Sequence, residues 1–136
     1  MPNLLQYPIA VFGLLRAGFV IVNTNPLYTR RELQHQLEDS DAKGIIIVEN
    51  FANTLEKALK HVKPEVIITT RIGDMLGFPK SFITNAVVKY VKKMVPAFNL
   101  PGSISMSEVL KQGADKPYNR VSVSYTHLTL PTIYSV

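Results

Sequence analysis

The side chains that could carry chemistry are few in this sequence, and they are scattered. Its three histidines, His35, His61 and His127, stand too far apart for paired zinc-ligand spacing or for a helical H-E-x-x-H motif. Asp39 and Asp41 flank Ser40 at a predicted helix end, where short polar side chains favour a turn more than a cation. No serine stands in a G-x-S-x-G elbow, and no Ser, His and acid residues are spaced as triad partners. Arg30 and Arg31 open a predicted helix, whose dipole would favour an anion, but solvated arginines explain them more simply. The seven glycines are dispersed, so neither G-x-x-x-x-G-K-[ST] nor G-x-G-x-x-G occurs. Lack of cysteine removes disulfides, thiolate catalysis and thiolate metal sites together. A receiver-like or flavodoxin-like module would need an acidic cluster or a phosphate loop at its strand ends. Glu49, Asn50, Thr69 and Thr70 supply neither. The sequence therefore assigns no catalytic, cofactor-binding or metal-binding residue.

The elements around these residues are much clearer. Asn25-Pro26-Leu27-Tyr28 stops a predicted strand, and Thr29 then caps a helix over 30–39 whose third residue is Glu32. This T-x-x-E spacing lets each side chain satisfy the other residue's backbone N–H. Leu33 and Leu37 give that helix a narrow buried stripe. Residues 44–48 follow as a strand whose unbroken β-branched run predicts burial on both faces, as in a parallel sheet. A helix over 52–61 should turn Leu55, Ala58, Leu59 and Val62 inward, and 65–70 makes another apolar strand. Upstream, 4–17 reads as a helix apolar nearly all round and hence buried, ended by Gly18 and followed by a strand over 19–23. Only Gln6 and Arg16 interrupt the apolar stretch 4–22 strongly, yet Pro8, Gly13 and Gly18 argue against a membrane span. No secretory signal is visible. Three strands joined by two helices predict an α/β class, a partial, open, mostly parallel sheet with flanking helices and right-handed crossovers.

Beyond residue 70 the rhythm changes. Arg71-Ile72-Gly73-Asp74 opens an irregular stretch, and 79–98 reads as a basic amphipathic helix. Ile83, Ala86, Val87, Tyr90, Val91, Met94 and Phe98 share one face, with Lys80, Lys89, Lys92 and Lys93 mostly off it. The expectation is a helix packed on its own domain with its lysines in water; a membrane surface or a partner groove are the alternatives. A last short helix is predicted over 105–112. From about residue 122 the sequence carries no charge apart from His127 and no logic linking it to what precedes. Residues 1–121 are thus expected to form a partial domain, and 122–136 a non-native tail. With 46% apolar and 18% charged residues the chain is globular rather than disordered. Its net charge of +5 comes without Arg/Lys runs interleaved with aromatics, which argues for an ordinary basic face and against nucleic acid.

Residues 1–118 resemble the N-terminal domain of adenylate-forming, AMP-binding enzymes, and specifically the bacterial long-chain fatty acid–CoA ligases. Asn25-Pro26-Leu27-Tyr28-Thr29, Glu32-Leu33, Gln36-Leu37 and Asp39-Ser40 are the recurring pattern, and 78–101 is similar as well. Arg30 departs from it, standing where these ligases commonly have proline; the change removes a preset φ and puts a positive charge at a helix N-terminus. The resemblance implies a two-step reaction. A fatty acid carboxylate attacks the α-phosphorus of ATP to give acyl-adenylate and pyrophosphate, and the coenzyme A thiol then displaces AMP, with magnesium offsetting phosphate charge. The family's phosphate loop would be expected shortly after Asn119, and no position here matches it, the nucleotide pocket, the domain hinge or the C-terminal lysine. The 136-residue chain is accordingly expected to be an inactive fragment without cofactors of its own, while its parent ligase uses long-chain fatty acid, ATP, Mg2+ and coenzyme A. A cytoplasmic location, peripheral at the inner membrane, and a homodimer complete the expectations. The competing reading is a non-catalytic α/β binding module whose basic amphipathic helix contacts a membrane or partner. Uncovered sheet edges and apolar faces would make the isolated chain poorly stable or aggregation-prone.

Overall fold

The structure, a computed structural model, describes residues 1–117. The capping box predicted at Thr29 is formed. The Thr29 hydroxyl oxygen accepts the Glu32 N–H at 3.5 Å, while one Glu32 carboxylate oxygen accepts both the N–H and the hydroxyl of Thr29 at 2.7 Å. These bonds from Thr29 hold the Glu32 carboxyl below its ordinary pKa. Upstream, Asn25 Oδ1 accepts the Leu27 N–H at 3.0 Å, a side-chain turn that brings the chain into the cap.

The capped helix is α2 (Arg30–Asp39), preceded in the chain by α1 (Gln6–Arg16). From α2 the chain enters β1 (Gly44–Val48), a 3-10 turn at Glu49–Phe51, α3 (Ala52–Ala58) and β2 (Val66–Thr70). β1 and β2 pair in parallel, with Gly44 opposite Val66 and Val48 opposite Thr70. Leu33 and Leu37 of α2 meet Leu55, Ala52 and Ala58 of α3 over Ile47 and Ile67 of the sheet, forming the core with Leu100. Leu59 and Val62 lie partly buried against it. Burial of the strands is complete only toward their carboxyl ends, at Val48 and Thr70; Ile46 and Ile68 are half-buried. The α/β class and the open parallel sheet are therefore as the sequence implies.

A third strand escaped the sequence reading. β3 (Ile104–Ser105) adds in parallel to β2, giving the order β1-β2-β3. Two residues are too few to show a strand period. Ser105 then caps α5 (Met106–Ala114), accepting the Glu108 N–H at 3.2 Å, close to the predicted helix.

Three expectations fail. Residues 19–23 form no strand, and Val20 is 90% exposed, because no strand of the described chain lies beside them. Gly18, at φ 81°, does end α1 as predicted. α1 is not buried all round: only Gln6 and Ala10 are covered, while Leu5, Ile9, Phe12 and Leu15 are exposed. Apolar residues on every side of a helix say that it wants cover, and among the described residues too little reaches it. The long helix predicted over 79–98 is shorter, with α4 (Lys80–Ala86) running into a π-helical turn at Val87–Val91 and stopping where Lys93 turns left-handed at φ 48°. The expected tail, 122–136, lies outside the described residues. No helix among the described residues is long and apolar enough to cross a membrane.

Candidate functional site at the strand ends

Open parallel sheets bind ligands outside the carboxyl ends of their strands, where loops diverge and N–H groups are free. Here β1 runs into Glu49 and Asn50, β2 runs into the turn Arg71–Asp74, and α4 returns across both. Between them lies an open crevice of about 600 Å³, lined by Glu49, Asn50, Arg71, Asp74 and Asn85 with Phe78, Phe82, Lys89 and Tyr90 at its rim.

The turn after β2 is fixed from several sides. Arg71 Nε donates to Glu49 Oε1 at 2.9 Å, which ties the two strand ends together and raises the Arg71 pKa further. One Asp74 oxygen accepts the Arg71 N–H at 2.8 Å and the Thr70 hydroxyl at 3.1 Å, and the other accepts the Asn85 amide at 3.0 Å. Asn85 Oδ1 in turn accepts the Gly73 N–H at 2.9 Å, so α4 is sewn to the turn by a two-way amide bond. Gly73 is required by this approach. A Cβ there would stand 2.8 Å from Asn85 Oδ1 and 2.9 Å from the Ser81 carbonyl oxygen. Gln6, fully buried, donates to the Arg71 carbonyl at 2.7 Å and thereby docks α1 on the same turn. Asn50 Nδ2 donates to the Met94 carbonyl at 3.0 Å, closing the far side.

Chemically this network spends its polar groups on one another. Asp74 accepts three hydrogen bonds and Arg71 faces Glu49, so neither is presented as a reacting group. No cluster of three or more His, Cys, Asp or Glu residues able to hold a metal ion occurs among the described residues. These polar groups therefore hold the strand ends and the turn together rather than standing free for a ligand.

The residues singled out from the sequence are mostly not brought together. His35 and His61 are exposed on separate elements, and His127 lies outside the described residues. Asp39 is exposed, while Asp41, left-handed at φ 45°, pairs with Lys43 at 2.9 Å instead of a cation. Ser40 donates to the Gln36 carbonyl at 2.6 Å as a helix end. Arg30 and Arg31 are exposed. Glu49 and Asn50 do line the crevice, together with Arg71, Asp74 and Asn85, which sequence reasoning passed over, whereas Thr69 and Thr70 are buried and Thr70 reaches it only through its bond to Asp74. The signal for these was the break of pattern at Arg71-Ile72-Gly73-Asp74 directly after an apolar strand.

Comparison with known proteins gives this arrangement its context. Residues 1–126 match the family model described as AMP-binding enzyme. The chain is 53% identical over 123 residues to the long-chain-fatty-acid–CoA ligase of Salmonella typhimurium, covering 90% of this chain and 22% of that protein. It is 54% identical over 124 residues to the ligase of the same description from Haemophilus influenzae, covering 91% of this chain and 22% of that one. A Bacillus subtilis ligase so described is 36% identical over 84 residues, 61% of this chain and 15% of the relative. The chain thus spans about 22% of the length of the first two relatives. No solved structure matches it significantly. With a capped helix leading into a parallel β-α-β unit and a family match from residue 1 to residue 126, this chain belongs to the AMP-binding enzyme family.

Proposed function

We propose that this chain is part of a long-chain fatty acid–CoA ligase, and that the complete protein forms acyl-adenylate from fatty acid and ATP before transferring the acyl group to coenzyme A. One observation carries this reading: identity of 53–54% to ligases of that description along about nine-tenths of the chain. Within the ligase this stretch has a supporting role. Its strand ends and the Arg71–Asp74 turn would hold one wall of the active site, and the reacting groups would come from residues outside 1–117. The 136-residue chain alone does not activate fatty acids. The free-standing binding module is the weaker reading, because a non-catalytic module would not share a family match along its length with enzymes.

Fatty-acid-dependent exchange of pyrophosphate into ATP tests both halves. The complete protein should exchange with a long-chain fatty acid, and loss of exchange with every such acid would overturn the ligase reading. Exchange above background by the purified 136-residue chain would overturn the supporting role. The expected location is the cytoplasmic side of the inner membrane.

A further inference from the structure

α4 and its π-helical turn form one wall of the crevice, and that wall is held quite differently from the core. No residue of either is buried, whereas Ala52, Leu55 and Ala58 of α3 have no exposed surface. Ser81, Thr84, Asn85, Ala86 and Val88 are half-covered, while Phe82, Tyr90, Lys80 and Lys89 are exposed. What ties the segment down is polar. Asn85 donates to Asp74 at 3.0 Å and accepts the Gly73 N–H at 2.9 Å, and Asn50 donates to the Met94 carbonyl at 3.0 Å. Left-handed residues stand near both ends, Gly77 at φ 72° and Lys93 at φ 48°.

Opening a core helix such as α3 would put Leu55 and its alanines into water and strip the sheet of its cover. Opening 78–94 exposes no buried side chain of its own, and water takes up the backbone groups that it releases. Segments with few buried apolar contacts open first, far below the cost of unfolding the whole chain. Once detached, a seven-residue helix followed by a five-residue π-turn is too short to persist in water, so the opening is a local unfolding and not the swing of a rigid body. We propose that residues 78–94 are a movable wall of the crevice, latched by Asn85 and Asn50 and opening as one unit while α2, α3 and the sheet stay closed. Opening widens the crevice from one side. It also bares the Gly73 N–H and one Asp74 oxygen beyond the carboxyl end of β2, where open parallel sheets meet their ligands. The latch rests on bonds within this chain and not on the ligase reading, so the two fail separately.

Amide hydrogen exchange of the 136-residue chain, resolved by residue in NMR spectra, is the measurement. The Gly73 N–H and the amides of 83–91 should exchange at similar rates, at least about a hundredfold faster than those of 56–58 in α3. Asn85→Ala sets two effects against each other, because it removes both latch bonds and at the same time improves helix propensity. Roughly fivefold for each bond, less about threefold for the propensity, should leave exchange at Gly73 and across 83–91 about eightfold faster, with 56–58 unchanged. Asn50→Ala, outside the segment, should speed the same amides about fivefold. Exchange at 83–91 as slow as at 56–58, slower exchange in Asn85→Ala, equal acceleration at 56–58, or a rise confined to the amides beside either substitution would overturn the proposal.

Discussion

Residues 28–70 and residues 4–22 both carry many large apolar side chains, yet the first region buries most of them and the second exposes them. In 28–70 each apolar residue is answered by another from a neighbouring element: Leu33 and Leu37 by Leu55, and Leu55 by Ile47 and Ile67. In 4–22 the only side chain fully covered is the polar Gln6, held by its bond to the Arg71 carbonyl, while Phe12 and Phe19 are exposed. Hydrophobicity drives burial only when a complementary surface is within reach, and a parallel strand or an amphipathic helix cannot supply that surface for itself. The β-α-β unit closes on its own core. The segment before it meets no such surface among the described residues.

That contrast can be broken by mutation. Leu55, with no exposed surface, is the centre of the closed region, and Leu55→Ala should cost about 2–5 kcal/mol in urea unfolding of the monomeric chain. Phe12→Ala, at a residue 65% exposed, should change the same midpoint by less than about 0.5 kcal/mol. If the two substitutions cost the same, the division between the regions is wrong. Next in size is Gly73→Ala, whose methyl group would meet Asn85 and the Ser81 backbone; it should cost about 1–3 kcal/mol and free α4, seen as faster proteolysis after Lys80. Gln6→Leu removes the bond to the Arg71 carbonyl and should cost about 1–2 kcal/mol while loosening α1, read as faster amide exchange over 6–16.

The smallest effect is at the cap. Thr29→Ala should cost about 1 kcal/mol, and the Glu32 half of the cap makes the loss depend on pH. Folding lowers the Glu32 pKa, so its stabilisation is complete above the ordinary value of 4.5 and is lost as pH falls through the lower value of the folded state. The difference in stability between wild type and Thr29→Ala should therefore shrink on acidification below pH 4.5. A difference that stays constant down to complete acid unfolding would show that Glu32 is not part of the cap.

The legible parts of this chain were those whose information is local. A side chain that bonds the backbone three residues away, as Thr29 and Glu32 do, depends on nothing beyond one helical turn. A run such as Gly44–Val48 declares a buried strand through β-branching alone. The crevice network was harder, because Glu49, Arg71 and Asn85 come from three elements and have no fixed spacing that marks them as partners. β3 was invisible for the same reason, since its two residues are strands only because β2 lies beside them.

The sequence by itself determined the cap at Thr29, the order α2, β1, α3, β2 and the glycine stop at Gly18, because each rests on interactions within a few residues. Only the tertiary structure decided that α4 turns its polar side inward. Its periodicity marks two sides without saying which one meets the domain, and the bonds of Asn85 to Asp74 and Gly73, made across the strand ends, settle that choice. They leave Phe82, Tyr90 and the lysines facing outward.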